Sequence, residues 1–148
     1  SKTTGNYVNS SLAKVEAIKA GYDEAVMLAP NGLVAECSGE NIFVVRQGKL
    51  ITPPLAAGAL EGITQSTVLT IAHDLGYEAV IDNLARTDLY IADESFVCGT
   101  AAEVSSVNSV DDREIPCPGP MTTAIAETYH RAVRREVDKY RSWCETAV

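Results

Sequence analysis

Apolar positions recur along the chain in two rhythms, one of about 3.6 residues and one of two. Residues 8–20 follow the first, with Leu12, Val15 and Ile18 on one face, a cap available from Asn9 or Ser10, and Gly21 to end the helix. Residues 25–28 and 33–36 are short apolar runs on either side of Pro30-Asn31-Gly32, which predicts a hairpin. Residues 41–46 and 49–52 repeat that arrangement around Gln47-Gly48, and Pro53-Pro54 stops it. After a loop of small residues, Gly62-Ile63-Thr64 opens a second helix, whose apolar face is Val68, Ile71, Ala72 and Leu75 and whose end is Gly76. A strand at 79–81, a short helix at 86–92 and strands at 94–98 and 102–107 follow, the last two joined at Gly99-Thr100-Ala101. A turn at 110–113 and a strand end at 114–115 precede Pro116, Pro118 and Pro120, and residues 121–143 read as one long helix.

Many short strands in hairpins with three or four helices predict an α+β domain, with a barrel-like antiparallel or mixed sheet and helices packed outside it. Strict βαβ alternation is missing, which disfavours a doubly wound sheet. The length of 148 residues suits one domain, and 46% apolar residues suffice for a core. A formal net charge of -8 excludes nucleic acid or anionic membrane held by a general basic field, but not a small anion held by local donors. Cys37, Cys98, Cys117 and Cys144 form no CxxC pair, and His73 and His130 lie far from them in sequence, so no metal site is expected. Free thiols, together with the lack of a signal peptide or bilayer-length apolar run, point to a reducing cytoplasm. Tyr90, Tyr129 and Tyr140 read as packing residues, and the two histidines as surface or core residues.

Four stretches carry candidate chemistry. Lys2-Thr3-Thr4-Gly5-Asn6-Tyr7 sets a lysine five residues before a tyrosine. Lysine condenses with aldehydes as the free amine, a form that desolvation or a neighbouring cation favours. In Glu36-Cys37-Ser38-Gly39-Glu40-Asn41 two carboxylates flank a tight turn. Glu36 ends an apolar run and is either an ordinary loop acid or the partner of a protonated ring nitrogen. Gly62-Ile63-Thr64 is either a simple helix cap or a phosphate cradle of backbone amides and a hydroxyl. Gly99-Thr100-Ala101-Ala102-Glu103 is either a plain tight turn or a second place where accessible amides meet an anion.

In this order, and over residues 2 to about 140, the four stretches together resemble the class IV (fold-type IV) pyridoxal-phosphate aminotransferases. The Lys-to-Tyr spacing and the Gly-Thr-Ala-Ala-Glu turn resemble the branched-chain amino-acid branch more than the D-amino-acid aminotransferases or aminodeoxychorismate lyases. The resemblance implies pyridoxal 5'-phosphate as cofactor, with Lys2 as the residue that condenses with it and shuttles the proton. It implies that Tyr7 bonds the cofactor's phenolic oxygen and that Glu36 pairs with its ring nitrogen, with Glu40 and Asn41 in support. Ile63, Thr64 and Thr100 would hold the phosphate, and Thr100 and Ala101 the substrate carboxylate. The implied reaction exchanges an amino group between leucine, isoleucine or valine and 2-oxoglutarate. The alternatives are a D-amino-acid or amine transaminase, or a domain that kept the fold without the chemistry. The implied organisation is one domain over residues 1–148, the C-terminal half of a longer two-domain homodimeric enzyme, inactive without its N-terminal half. Apolar surface left near Lys2, Glu36 and Thr100 is expected on that basis.

Overall fold

The computed structural model describes residues 3–145. A 3-10 turn at Thr4–Tyr7 leads into α1, Val8–Lys19. Strands β1 (Val26–Leu28) and β2 (Val34–Cys37) form an antiparallel pair, and β3 (Asn41–Arg46) and β4 (Lys49–Thr52) a second. Then come α2 (Ile63–Asp74), β5 (Glu78–Ile81), α3 (Arg86–Tyr90), β6 (Glu94–Gly99) and β7 (Glu103–Ser106). A small hairpin of β8 (Ser109–Val110) and β9 (Arg113–Glu114) precedes α4, Pro120–Val133.

The main sheet has five strands in the order β5-β4-β3-β6-β7, antiparallel except for the parallel pair β4–β5. It is an open mixed sheet with helices packed against it, so the α+β expectation holds and only its barrel-like closure is corrected. Its edge strands β5 and β7 are not paired with each other. β4 and β5 are parallel because α2 lies between them in sequence and carries the chain back across one face.

β3 sits at the centre and is buried from Asn41 to Val45. Its side chains alternate between two cores. Phe43 and Val45 point to one side, where Val68 and Ile71 of α2 and Ile125 and Tyr129 of α4 close over them. Ile42 and Val44 point to the other, against Val34 and Cys37 of β2, Leu84 and Leu89. Phe43 stacks on Phe96 of β6 with ring centroids 4.9 Å apart. A strand apolar on both faces thus has a layer on each side to hide it.

α1 differs from the other long helices. None of its residues is buried, and Leu12 and Ile18 are 66% and 57% exposed. The apolar stripe read from the sequence is present but faces outward. The final helix is also shorter than its periodicity suggested. It ends at Val133, where Arg135 takes a positive φ of 63° and Glu136 N–H reaches back to the Arg131 carbonyl at 2.9 Å. Tyr140 reaches the core from a separate 3-10 segment, Asp138–Trp143. Tyr90 also departs from the packing role assigned to it. Its hydroxyl donates to Asp111 at 2.5 Å, and the Arg113 guanidinium lies 4.2 Å above its ring. His73 is exposed, and His130 faces Glu103 at 3.0 Å.

Candidate functional site

The end of β2, the start of β3, the start of α2 and the end of β6 meet at one edge of the sheet. Asn41 pairs with Cys98 in the β3–β6 ladder, which sets the turn 38–40 beside Gly99 and Thr100. Around this edge lies a cavity of about 310 Å³. Tyr7, Glu36, Ile63, Thr64 and Thr100 all line it, as do Glu40 and Asn41. Seven of the nine residues singled out in the sequence are therefore gathered around one hollow. Ala101 is exposed and is not part of its wall. Lys2 lies outside the described residues.

Backbone and side chains lock this edge together. The Leu60 amide donates to Glu36 Oε2 at 2.9 Å, and Asn41 Nδ2 donates to the Leu60 carbonyl at 2.9 Å and to Glu36 Oε2 at 3.4 Å. The loop before α2 is thus tied to β2 and β3 at once, and the Glu36 carboxylate is held by donors rather than left in an apolar wall. Gln65, in the first turn of α2, donates to Thr52 Oγ1 at 3.1 Å, and Thr52 donates to the Ile42 carbonyl at 2.9 Å. These buried bonds fix the helix start one residue from Asn41.

Gly62 is the N-cap of α2, and among the described residues no side chain caps that end. The first amides of the helix are left to the cavity, at the positive end of the helix dipole. With the Thr64 and Thr100 hydroxyls nearby, the wall is suited to a phosphate. The side chain of Ile63 is 86% exposed, so any part this residue plays at the cavity falls to its backbone.

Cys98 also lines the cavity, and burial pushes its thiol up to about 12. Burial likewise pushes Cys37 upward, with the charges of Glu24, Glu40 and Glu36 adding to it. Both thiols are protonated at neutral pH and are poor nucleophiles.

Leu60 precedes the Gly62-Ile63-Thr64 stretch in the sequence but is given no role there, since its contribution is made by its backbone and has no side-chain signature. The sequence reading also missed Glu24. That carboxylate accepts from Lys14 Nζ at 2.6 Å, from the Ala25 amide at 2.7 Å and from Ser38 Oγ at 2.5 Å.

Residues 2–110 match the family model described as "Amino-transferase class IV". The chain belongs to the class IV aminotransferases. Within this family it is 48% identical over 145 residues to a probable branched-chain-amino-acid aminotransferase of Aquifex aeolicus, covering 96% of this chain and 47% of that protein. It is 44% identical over 144 residues to the branched-chain-amino-acid aminotransferase of Pseudomonas aeruginosa, with the same coverage of 96% and 47%. Solved structures agree in fold. The branched-chain aminotransferase of Thermoproteus uzoniensis with norvaline superposes with a TM-score of 0.94 at 52% identity, over 97% of this chain and 48% of that one. The PLP-form of the Thermobaculum terrenum enzyme gives 0.94 at 44% identity, over 96% and 47%. The chain spans about half the length of these relatives.

Proposed function

We propose that this class IV aminotransferase chain is the cofactor-holding half of a longer two-domain enzyme that transfers amino groups between branched-chain L-amino acids and 2-oxoglutarate. The observation that carries the reading is the single cavity that joins Tyr7, Glu36 and Thr100 to the uncapped start of α2. Similarity to branched-chain aminotransferases over nearly the whole chain supports that branch over a D-amino-acid or amine transaminase. A homodimer in the cytoplasm is part of the same proposal. It is consistent with the free thiols and with the fact that no described helix is long and apolar enough to cross a membrane.

The cavity suits pyridoxal 5'-phosphate on its own chemistry. It offers amides and hydroxyls for an anion at one end and a fixed carboxylate at the other, in a space typical of small-molecule sites. Ile63 and Thr64 would hold the phosphate through backbone amides, and Thr64 and Thr100 through hydroxyls. Tyr7 would donate to the phenolic oxygen of the ring. Glu36 would keep a proton on the ring nitrogen, its orientation already set by Leu60 and Asn41. When bound, this cofactor supplies an aldehyde that condenses with amines and a ring that draws electrons from the substrate's α-carbon. Lys2 Nζ would take the α-proton and return it, acting as base and then acid. The amides at Thr100 and Ala101 would receive the substrate carboxylate.

Borohydride reduction of the full-length protein loaded with pyridoxal phosphate tests the assignment. The expected result is a covalent label on the peptide that contains Lys2, and turnover of L-leucine, L-isoleucine and L-valine but not D-alanine. A label on another lysine, or a preference for D-alanine, would overturn it.

A further inference from the structure

Glu24 lies in the loop between α1 and β1, outside every motif discussed so far, yet three segments converge on it. Lys14 reaches it from the middle of α1 at 2.6 Å, and the same Nζ also donates to the Asp23 carbonyl at 2.7 Å. Ser38 reaches it from the β2–β3 turn at 2.5 Å, and the Ala25 amide from the start of β1 at 2.7 Å. The Glu40 carboxyl, on the cavity wall, is near enough that the two acids alter each other's titration.

The surroundings give this contact a purpose. α1 begins next to Tyr7 and buries none of its own side chains, so its placement depends on ties such as this one. The turn at the other end of the tie is flanked by Glu36 and Asn41. We propose that Glu24 is a positioning residue that, through Lys14 and Ser38, fixes the helix starting beside Tyr7 against the turn presenting Glu36 and Asn41 to the cavity. The proposal rests on the cofactor-site reading above for its consequence, but not for its geometry.

The titratable groups that face one another here are Lys14 of α1, Glu24 of the loop, Glu36 and Cys37 of β2, and Glu40 of the turn. Partial burial pushes Glu24 upward, but bonds from Lys14, Ser38 and Ala25 outweigh it and bring its carboxyl down to about 2. Burial first, then the neighbouring Glu24, raise the Glu40 carboxyl above the usual glutamate value. Of the two acids, Glu40 thus keeps its proton to the higher pH, while Lys14 balances the charge of Glu24. As pH rises through the raised value of Glu40, two adjacent carboxylates appear and the tie weakens.

Three readouts on the full-length protein decide the matter. First, the cofactor-free protein should show an infrared carbonyl band of a protonated carboxylic acid that persists above the usual glutamate range. The band should be lost in Glu40→Gln and should titrate at a lower pH in Glu24→Gln than in the wild type, burial still holding it above the ordinary value. Second, Glu24→Ala should speed amide hydrogen exchange across residues 8–19 while β3 and β6 stay protected. Third, Glu24→Ala should weaken pyridoxal phosphate binding about tenfold, the scale of one charge-assisted bond, and should flatten its alkaline decline. Lys14→Arg, which keeps the ion pair, should bind as wild type does, and Lys14→Met should reproduce part of the loss even where Glu24→Ala folds poorly. An ordinary titration in the wild type, or unchanged exchange in α1 of Glu24→Ala, would overturn the proposal. If wild-type protein binds no pyridoxal phosphate, the functional reading fails, and the band and the exchange still decide the role of Glu24.

Discussion

Asn41 leaves no room for a side chain at position 62: a methyl group built on Gly62 would lie 2.2 Å from Asn41 Oδ1. The contact brings the start of α2 against the start of β3, where Asn41 already bonds Leu60 and Glu36. Gly62→Ala should therefore displace Asn41 and cost about 1–3 kcal/mol, as overpacking does. Chemical denaturation would measure this, and pyridoxal phosphate titration should report weaker binding. The double variant Gly62→Ala with Asn41→Gly should recover part of the stability but not the binding, because the bonds from Asn41 to Leu60 and Glu36 are then gone.

The first turn of α4 is capped from another element. Glu94 of β6, 5% exposed, accepts the Met121 and Thr122 amides at 3.1 and 2.7 Å. Glu94→Ala strands both amides and should cost about 2–4 kcal/mol in an unfolding titration. In the same turn, among the described residues, Thr122 Oγ1 is a buried side-chain oxygen with no partner. Replacing that hydroxyl by a methyl in Thr122→Val should raise stability by about 1 kcal/mol.

Thiol labelling should divide the four cysteines. Cys117 is exposed and should react first with an aromatic disulfide reagent at neutral pH. Cys37 and Cys98, buried and pushed upward, should react only as the protein unfolds. Fast labelling of Cys98 in the folded protein would contradict its burial.

Tyr140 gives stability an alkaline limit. Burial, then the hydrogen bond to Asp74 at 2.8 Å and its charge, push the phenol up to about 12 from 10.0. A group raised on folding stabilises below its unfolded value and loses that contribution as pH climbs through its folded value. Between pH 10 and about 12 the wild type should lose stability that Tyr140→Phe, already weaker by about 1 kcal/mol, does not lose. Asp74 sets the opposite limit. Its bond to Lys139 first, and that to Tyr140 second, hold it below 3.8, so its contribution should disappear only as pH falls beneath that value.

The sequence was most informative where local chemistry decides structure. α2 runs between Gly62 and Gly76 as its caps required, and the double-sided burial of β3 follows from its unbroken apolar run. It misled where the signal is missing or the partner distant. Arg135 occupies the left-handed position where glycine usually marks the end of a helix, so the periodicity ran on past Val133 without a break. The strand order that opens the sheet depends on which edges pair, and spacing alone does not encode that choice. Within the site, Tyr7, Glu36, Thr64 and Thr100 were legible through their motifs. Glu24 was not, because its partners Lys14 and Ser38 stand well away from it along the chain and only the folded loop brings them together.

β3 begins at the cavity and ends between two cores. Loss or gain of a single residue between Cys37 and Phe43 would send the phenylalanine to the wrong layer and withdraw the asparagine from Leu60 and Glu36 in one stroke. In a lineage that drifts by insertion and deletion, this segment can change its letters but not its length, and a variant that alters the count should forfeit folding and binding together.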